Sequence, residues 1–110
     1  MELDDLEAQI RALAQVFLDR LPEKLQELQQ ALHAVSKGGD ALAMKHLHLL
    51  MHTLAGASGS FGFHELGERA RALEDRIDAL APSEAVGAVL SDTQEFIRWA
   101  SGMEGMRKDE

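Results

Sequence analysis

The chain has no cysteine and no tyrosine, two prolines, and only four phenylalanines and one tryptophan among 110 residues. Without thiols there is no disulfide framework and no thiolate metal site, so nothing ties the fold to a redox compartment. No run of 18 apolar residues is present, so the sequence offers no membrane-spanning helix. The first residues are acidic, whereas a secretory signal opens on basic ones, and a cytoplasmic location is the expectation. Basic residues are also scarce: 11 Lys and Arg stand against 19 Asp and Glu, a net charge of −8. Nucleic acid and anionic membranes need a basic patch. No Lys/Arg cluster supplies one, and both partner classes are excluded. Strand-like alternation of Val, Ile and Thr is missing as well.

What remains is rich in Ala, Leu, Glu, Gln and Arg, all good helix formers. Leu3, Leu6, Ile10, Leu13 and Phe17 recur at spacings of three and four, the pattern of an amphipathic helix, with Asp4, Asp5 and Glu7 favourably placed in its first turn. Pro22 should end or bend that helix near Leu21, yet the apolar phase runs on through Leu25, Leu28, Leu32 and Val35. Two helices or one bent helix are both open. Ser36–Asp40 reads as a loop, with glycine to stop one helix and Asp40 to cap the next near Ala41. The helix that starts there should fray around Gly59 to Gly62. Phe63, Leu66, Ala70, Leu73, Ile77 and Leu80 then resume the stripe. After Ala81-Pro82-Ser83, with Ser83 as N-cap, Val86, Val89, Leu90, Phe96, Ile97 and Ala100 mark a last helix. The expected fold is all-α: an antiparallel four-helix bundle with an additional N-terminal helix, over residues 1–103, followed by a disordered tail at 104–110.

The most informative stretch is His48–Phe63. At roughly 100° per residue, Ala43, Leu47, Leu50, Leu54, Ala57 and Phe61 fall within about 40° of one line, the expected buried stripe, and His52 points the opposite way. Lys45, His48, Leu49, Ala55, Gly56 and Gly59 share its face. A glycine inside a helix costs about 1 kcal/mol relative to alanine. Two of them, one and two turns beyond a histidine, leave backbone bare where a phosphoryl group and the surface delivering it would need room.

His52-Thr53-Leu54-Ala55-Gly56-Ala57-Ser58, followed by Phe61-Gly62, resembles the histidine phosphotransfer (HPt) domain motif. That family shows His, two residues, usually Lys, then Gly, two small residues, and later an apolar-Gly pair. Leu66, Ala70, Leu73 and Glu74 resemble the family's next helix, and Phe17-Leu18, Leu21-Pro22, Leu25 and Leu28 its preceding one. The resemblance implies that His52 is a phosphoacceptor, taking a phosphoryl group reversibly from a receiver-domain aspartate and passing it to another response-regulator receiver domain. It implies a phosphotransfer mediator without kinase activity and with no cofactor of its own, Mg²⁺ belonging to the partner. A response-regulator receiver domain or a hybrid sensor kinase would be the partner of a monomeric chain. Lys45, His48, Leu49, Ala55, Gly56 and Gly59 would form the contact surface.

One departure stands out: the usual Lys is Ala55. Lys45 and His48 are the nearest replacements for its charge, with Arg69 and Arg71 of the next helix behind them. The loss favours one competing expectation, an HPt-like docking or dimerisation module that is not phosphorylated. His48 and His52, four apart, also have the spacing of a metal-binding pair. No carboxylate shares their face, however, and the expectation is no metal.

Overall fold

The computed structural model describes residues 2–38, 41–79 and 87–108. Four helices follow one another, α1 (Glu2–Ser36), α2 (Ala41–Ser60), α3 (His64–Ala79) and α4 (Gly87–Lys108), with no strand among the described residues. Each packs against its neighbours in the cycle α1, α2, α3, α4 and back to α1. This is an up-down-up-down bundle. No helix among the described residues is long and apolar enough to cross a membrane.

The additional N-terminal helix expected from the sequence is not a separate element. Residues before Pro22 form the first half of α1, which continues through the proline. Two features make that possible. The apolar phase Phe17, Leu21, Leu25, Leu28, Leu32 and Val35 keeps one face on the core through the proline, and Pro22 itself lies on the exposed side, where its ring does not disturb the core packing. At about 1.5 Å per residue α1 is about 52 Å long and α2 about 30 Å, so α1 sets the 57 Å long dimension of the molecule.

Glycines in the left-handed region close two helices. At the end of α1, Gly38 has φ +83°, and the N–H groups of Lys37 and Gly38 donate to the carbonyls of His33 and Val35. At the end of α2, Gly62 has φ +86°. Its N–H donates to Gly59 O at 3.2 Å, and the Phe63 N–H donates to Ser58 O at 2.8 Å, the paired bonds of a Schellman motif. Residues with a Cβ avoid that backbone conformation, so glycine turns the chain here into α3. The expected caps Asp40 and Ser83, the link around Pro82, and Leu80 and Val86 lie outside the described residues. Where a tail is expected from residue 104, helix α4 runs on through Met103 to Lys108. An already nucleated helix propagates readily through Met, Glu, Arg and Lys, and Gly102 and Gly105 do not stop it. Residues 109–110 lie outside the described residues.

Leu21, Leu28, Leu47, Met51 and Leu66 are almost wholly buried and form the centre of the core. The buried line of α2 differs from the one read off the sequence. It comprises Leu47, Met51, Leu54, Ala55 and Ser58, whereas Ala43, Leu50, Ala57 and Phe61 are only half-buried; this rotates the helix by roughly 60° about its axis. The cause is Gly67 on α3. A Cβ there would stand 3.3 Å from Ala55 O, 3.4 Å from Gly59 N and 3.5 Å from Ser58 Cβ. A glycine lets the two backbones meet closely without crowding the Ala55 carbonyl, and the small residues Ala55, Ser58 and Gly59 stand opposite it on α2. Ser58 is buried at no polar cost, because its hydroxyl donates to Leu54 O at 2.6 Å. Across the bundle, Gln29 and Gln94 exchange amide hydrogen bonds at 3.1 Å between α1 and α4, and Arg76 pairs with Asp92 between α3 and α4.

Two glycine-to-alanine changes should therefore move stability in opposite directions. Gly56→Ala meets nothing within 4 Å and should raise unfolding free energy by up to about 1 kcal/mol. Gly67→Ala gains the same helix propensity but presses on backbone, and should lower stability by about 1–2 kcal/mol net. Urea titration of the helical CD signal measures both; equal stabilisation by the two would show that the seam between α2 and α3 is not tight.

Candidate functional site

The close approach at Gly67 sets the level of everything along the seam between α2 and α3. The helices run antiparallel, so with Gly67 beside Ala55 and Gly59, Ala55 comes level with Arg71, His52 with Glu74, and His48 with Asp78. The contacts follow this register. His52 donates from Nδ1–H to Glu74 Oε2 at 2.6 Å. His48 Nε2 lies 3.6 Å from the same oxygen and 3.8 Å from Asp78 Oδ1. The two imidazoles are nearly parallel, with centroids 6.5 Å apart.

Exposure divides the roles. The His52 side chain is 66% exposed and that of Glu74 15%, so a fixed carboxylate holds one side of a ring whose other side faces solvent. A carboxylate can only accept, so the proton of a neutral His52 ring sits on Nδ1. Nε2 then carries the free lone pair. This arrangement presents a nucleophilic nitrogen whose tautomer is set by its neighbour.

Around His52, the residues expected at the surface divide into two groups. Lys45, Leu49, Gly56 and Gly59 are exposed and His48 half-buried; Gly56 and Gly59 have open space where a Cβ would stand. Ala55 is the correction. It is buried, at 4% exposure, because α2 is turned toward α3 and its backbone lies against Gly67. Arg69 is likewise directed elsewhere: it pairs with Glu65 at 3.2 Å and lies over the Trp99 ring, 4.0 Å from its centroid, on the face shared with α4. Arg71 is exposed, on the flank of α3 that carries Gly67, Glu74 and Asp78. On the other shoulder of α2, Leu49 borders a groove of about 270 Å³ lined by Phe17, Leu28, Leu50, Thr53 and Ala57.

Glu74 is the residue the sequence reading did not equip with a role. Within α2 there is no acidic partner for His52, and only the packing register brings one from α3. A signal was present in Gly67, an unexplained glycine within a helix at a fixed offset from Glu74. Among the described residues no group of three or more His, Asp or Glu side chains is placed to hold a metal ion.

A family model described as Hpt domain matches residues 12–106. No curated protein and no solved structure matches the chain.

The tautomer gives a direct test. In ¹⁵N–¹H long-range NMR spectra above the titration range of imidazole, the His52 ring should show the Nδ1–H pattern, and Glu74→Ala should shift it toward Nε2–H with the helical CD spectrum unchanged. An Nε2–H pattern in the unaltered protein would show that Glu74 does not hold the ring in solution.

Proposed function

The chain belongs to the Hpt domain family, phosphotransfer mediators of two-component phosphorelays that are not kinases, and from that premise we propose that His52 is the residue that carries the phosphoryl group. The observation that supports this most is the conjunction at one ring: solvent exposure, a glycine-cleared approach, and a carboxylate on Nδ1. His48 has only the last of these in part.

In the proposed reaction Nε2 of the neutral His52 ring attacks the phosphorus of a receiver-domain aspartyl phosphate. The N–P bond forms as the P–O bond to the aspartate breaks, and the electron pair leaves with the aspartate carboxylate. The ring, now phosphorylated on Nε2 and still protonated on Nδ1, becomes positively charged, and Glu74 faces that charge at hydrogen-bond distance. No general base is needed. The receiver domain, with its bound Mg²⁺, supplies in-line geometry and neutralises the transferred group. The same steps in reverse deliver the phosphoryl group to a second receiver.

Neutralisation on this side of the interface is where the chain departs from the family pattern. A lysine is absent at Ala55, and Glu74 and Asp78 are acidic. We assign the replacement cation to Arg71, which is exposed and, by the register of the seam, stands level with Ala55 on the facing flank of α3. Leu49 and Thr53, beside the apolar groove between α1 and α2, are the proposed docking surface for the receiver, with Gly56 and Gly59 leaving room for its phosphorylated loop. A second reading, a docking module that is never phosphorylated, is favoured by the missing lysine together with the two nearby carboxylates.

Transfer of label from a phosphorylated receiver domain, resolved under alkaline conditions that preserve phosphohistidine, decides between them. His52→Gln should abolish labelling and His48→Gln should retain it; the reverse result, or no labelling of the unaltered protein by any receiver of its host, would overturn the assignment. Glu74→Gln should slow labelling roughly ten- to hundredfold, the worth of a hydrogen bond to a charged group of about 1.5–3 kcal/mol.

Arg71→Ala should reduce the phosphorylated fraction at equilibrium several-fold, more at low salt than at high, and Arg71→Lys should restore most of it. An Arg71→Ala protein with an unaltered equilibrium and salt dependence would leave neutralisation to the receiver alone.

A further inference from the structure

The first half of α1 reaches beyond the bundle. Phe17, whose ring lies 5.3 Å from that of Phe63 and 5.7 Å from that of Phe61, marks where α1 joins the other helices. Before it, Leu3, Leu6, Ile10, Leu13 and Val16 are each 47–66% exposed. The first four, with Phe17, repeat at spacings of three, four, three and four, the a/d pattern of a two-stranded helical seam. Such a stripe is continuous with the core-facing side of α1, and a surface helix in water does not ordinarily leave it bare.

We propose that this arm pairs with the same arm of a second copy of the chain, antiparallel, to form a two-fold symmetric dimer. Two features select that occupant. The stripe is its own complement under inversion: with one copy turned end for end, Leu3 meets Leu13, Leu6 meets Ile10, and the same contacts repeat on the other half, as an isologous interface requires. Charge selects the orientation. The flank that carries Glu7 also carries Arg11, so antiparallel pairing brings Arg11 of each copy alongside Glu7 of the other. Parallel pairing would set the acidic turns Asp4, Asp5 and Glu7 of both copies side by side.

Size sets the strength. The exposed stripe offers on the order of 400–500 Å² per copy, about half of what a standard stable interface buries on each side. A reversible dimer of moderate affinity follows. The arm is already helical as part of α1, so association does not carry the cost of nucleating a helix. The two bundles would lie at opposite ends of the paired arms, and both His52 faces would remain open to a receiver. The proposal does not depend on phosphorylation of His52.

Sedimentation equilibrium of the whole chain tests it. The mass should rise from 12.1 kDa toward twice that between about 10 µM and about 1 mM. Leu6→Glu or Ile10→Glu should weaken the dimer at least tenfold, and Ala8→Glu, on the opposite face of the arm, should leave it unchanged. Because the chain has no cysteine, orientation can be read by oxidation: a mixture of Leu3→Cys and Leu13→Cys proteins should cross-link to each other, and Leu3→Cys alone should not. Arg11→Glu, which leaves the apolar stripe intact, should weaken the dimer, and adding Glu7→Arg should restore it. A chain that stays monomeric at about 1 mM, a dimer that survives Leu6→Glu, or efficient self-cross-linking of Leu3→Cys would each overturn the proposal.

Discussion

The contact on which the site depends is between two backbones. At Gly67 the helices α2 and α3 approach so closely that a methyl group would press on the Ala55 carbonyl at 3.3 Å, and this single level fixes the rest of the seam. With helix rise the same on both sides, each further turn adds a matched pair: Ala55 and Arg71, then His52 and Glu74, then His48 and Asp78. The bond from His52 to Glu74 is thus a product of packing several residues away. A flexible pair of surface side chains would lose most of such a bond to water and entropy. Here the carboxylate is held by the burial around it, and the imidazole is oriented without being enclosed.

Much of this was legible in the sequence, and what was not has a common physical cause. The helices, the Gly38 and Gly62 turns and the exposure of His52, Gly56 and Gly59 follow from local rules of periodicity and backbone conformation. The rotation of α2 does not. Apolar periodicity centres the buried face on Ala43, Leu54 and Phe61, whereas the structure centres it on Leu47, Met51 and Ser58. Small residues are silent in a hydrophobicity pattern, yet they decide how closely two helices approach. Periodicity therefore puts Ala55 at the surface although it is buried, and it gives no sign that Glu74 meets His52.

Pro22 and the end of α4 show the complementary case. Both carry residues with a strong local tendency to interrupt helix, and in both the helix persists. For α1 the apolar face that continues on either side of the proline outweighs one missing hydrogen bond. In α4 the glycines follow four turns of established helix, where adding a residue is far easier than starting one. Local breakers mark boundaries reliably only where the apolar phase breaks with them, as it does at Gly62.

The stacking of Arg69 on Trp99 has an optical consequence. Trp99 is the only tryptophan and there is no tyrosine, so nearly all the ultraviolet emission of the molecule comes from one indole, on the face where α3 meets α4 and away from His52. A guanidinium 4.0 Å from its centroid ties that emission to the separation of the two helices. The protein carries a built-in gauge of bundle opening that chemistry at the imidazole leaves nearly unperturbed, so unfolding and phosphoryl exchange can be followed in one sample by separate signals.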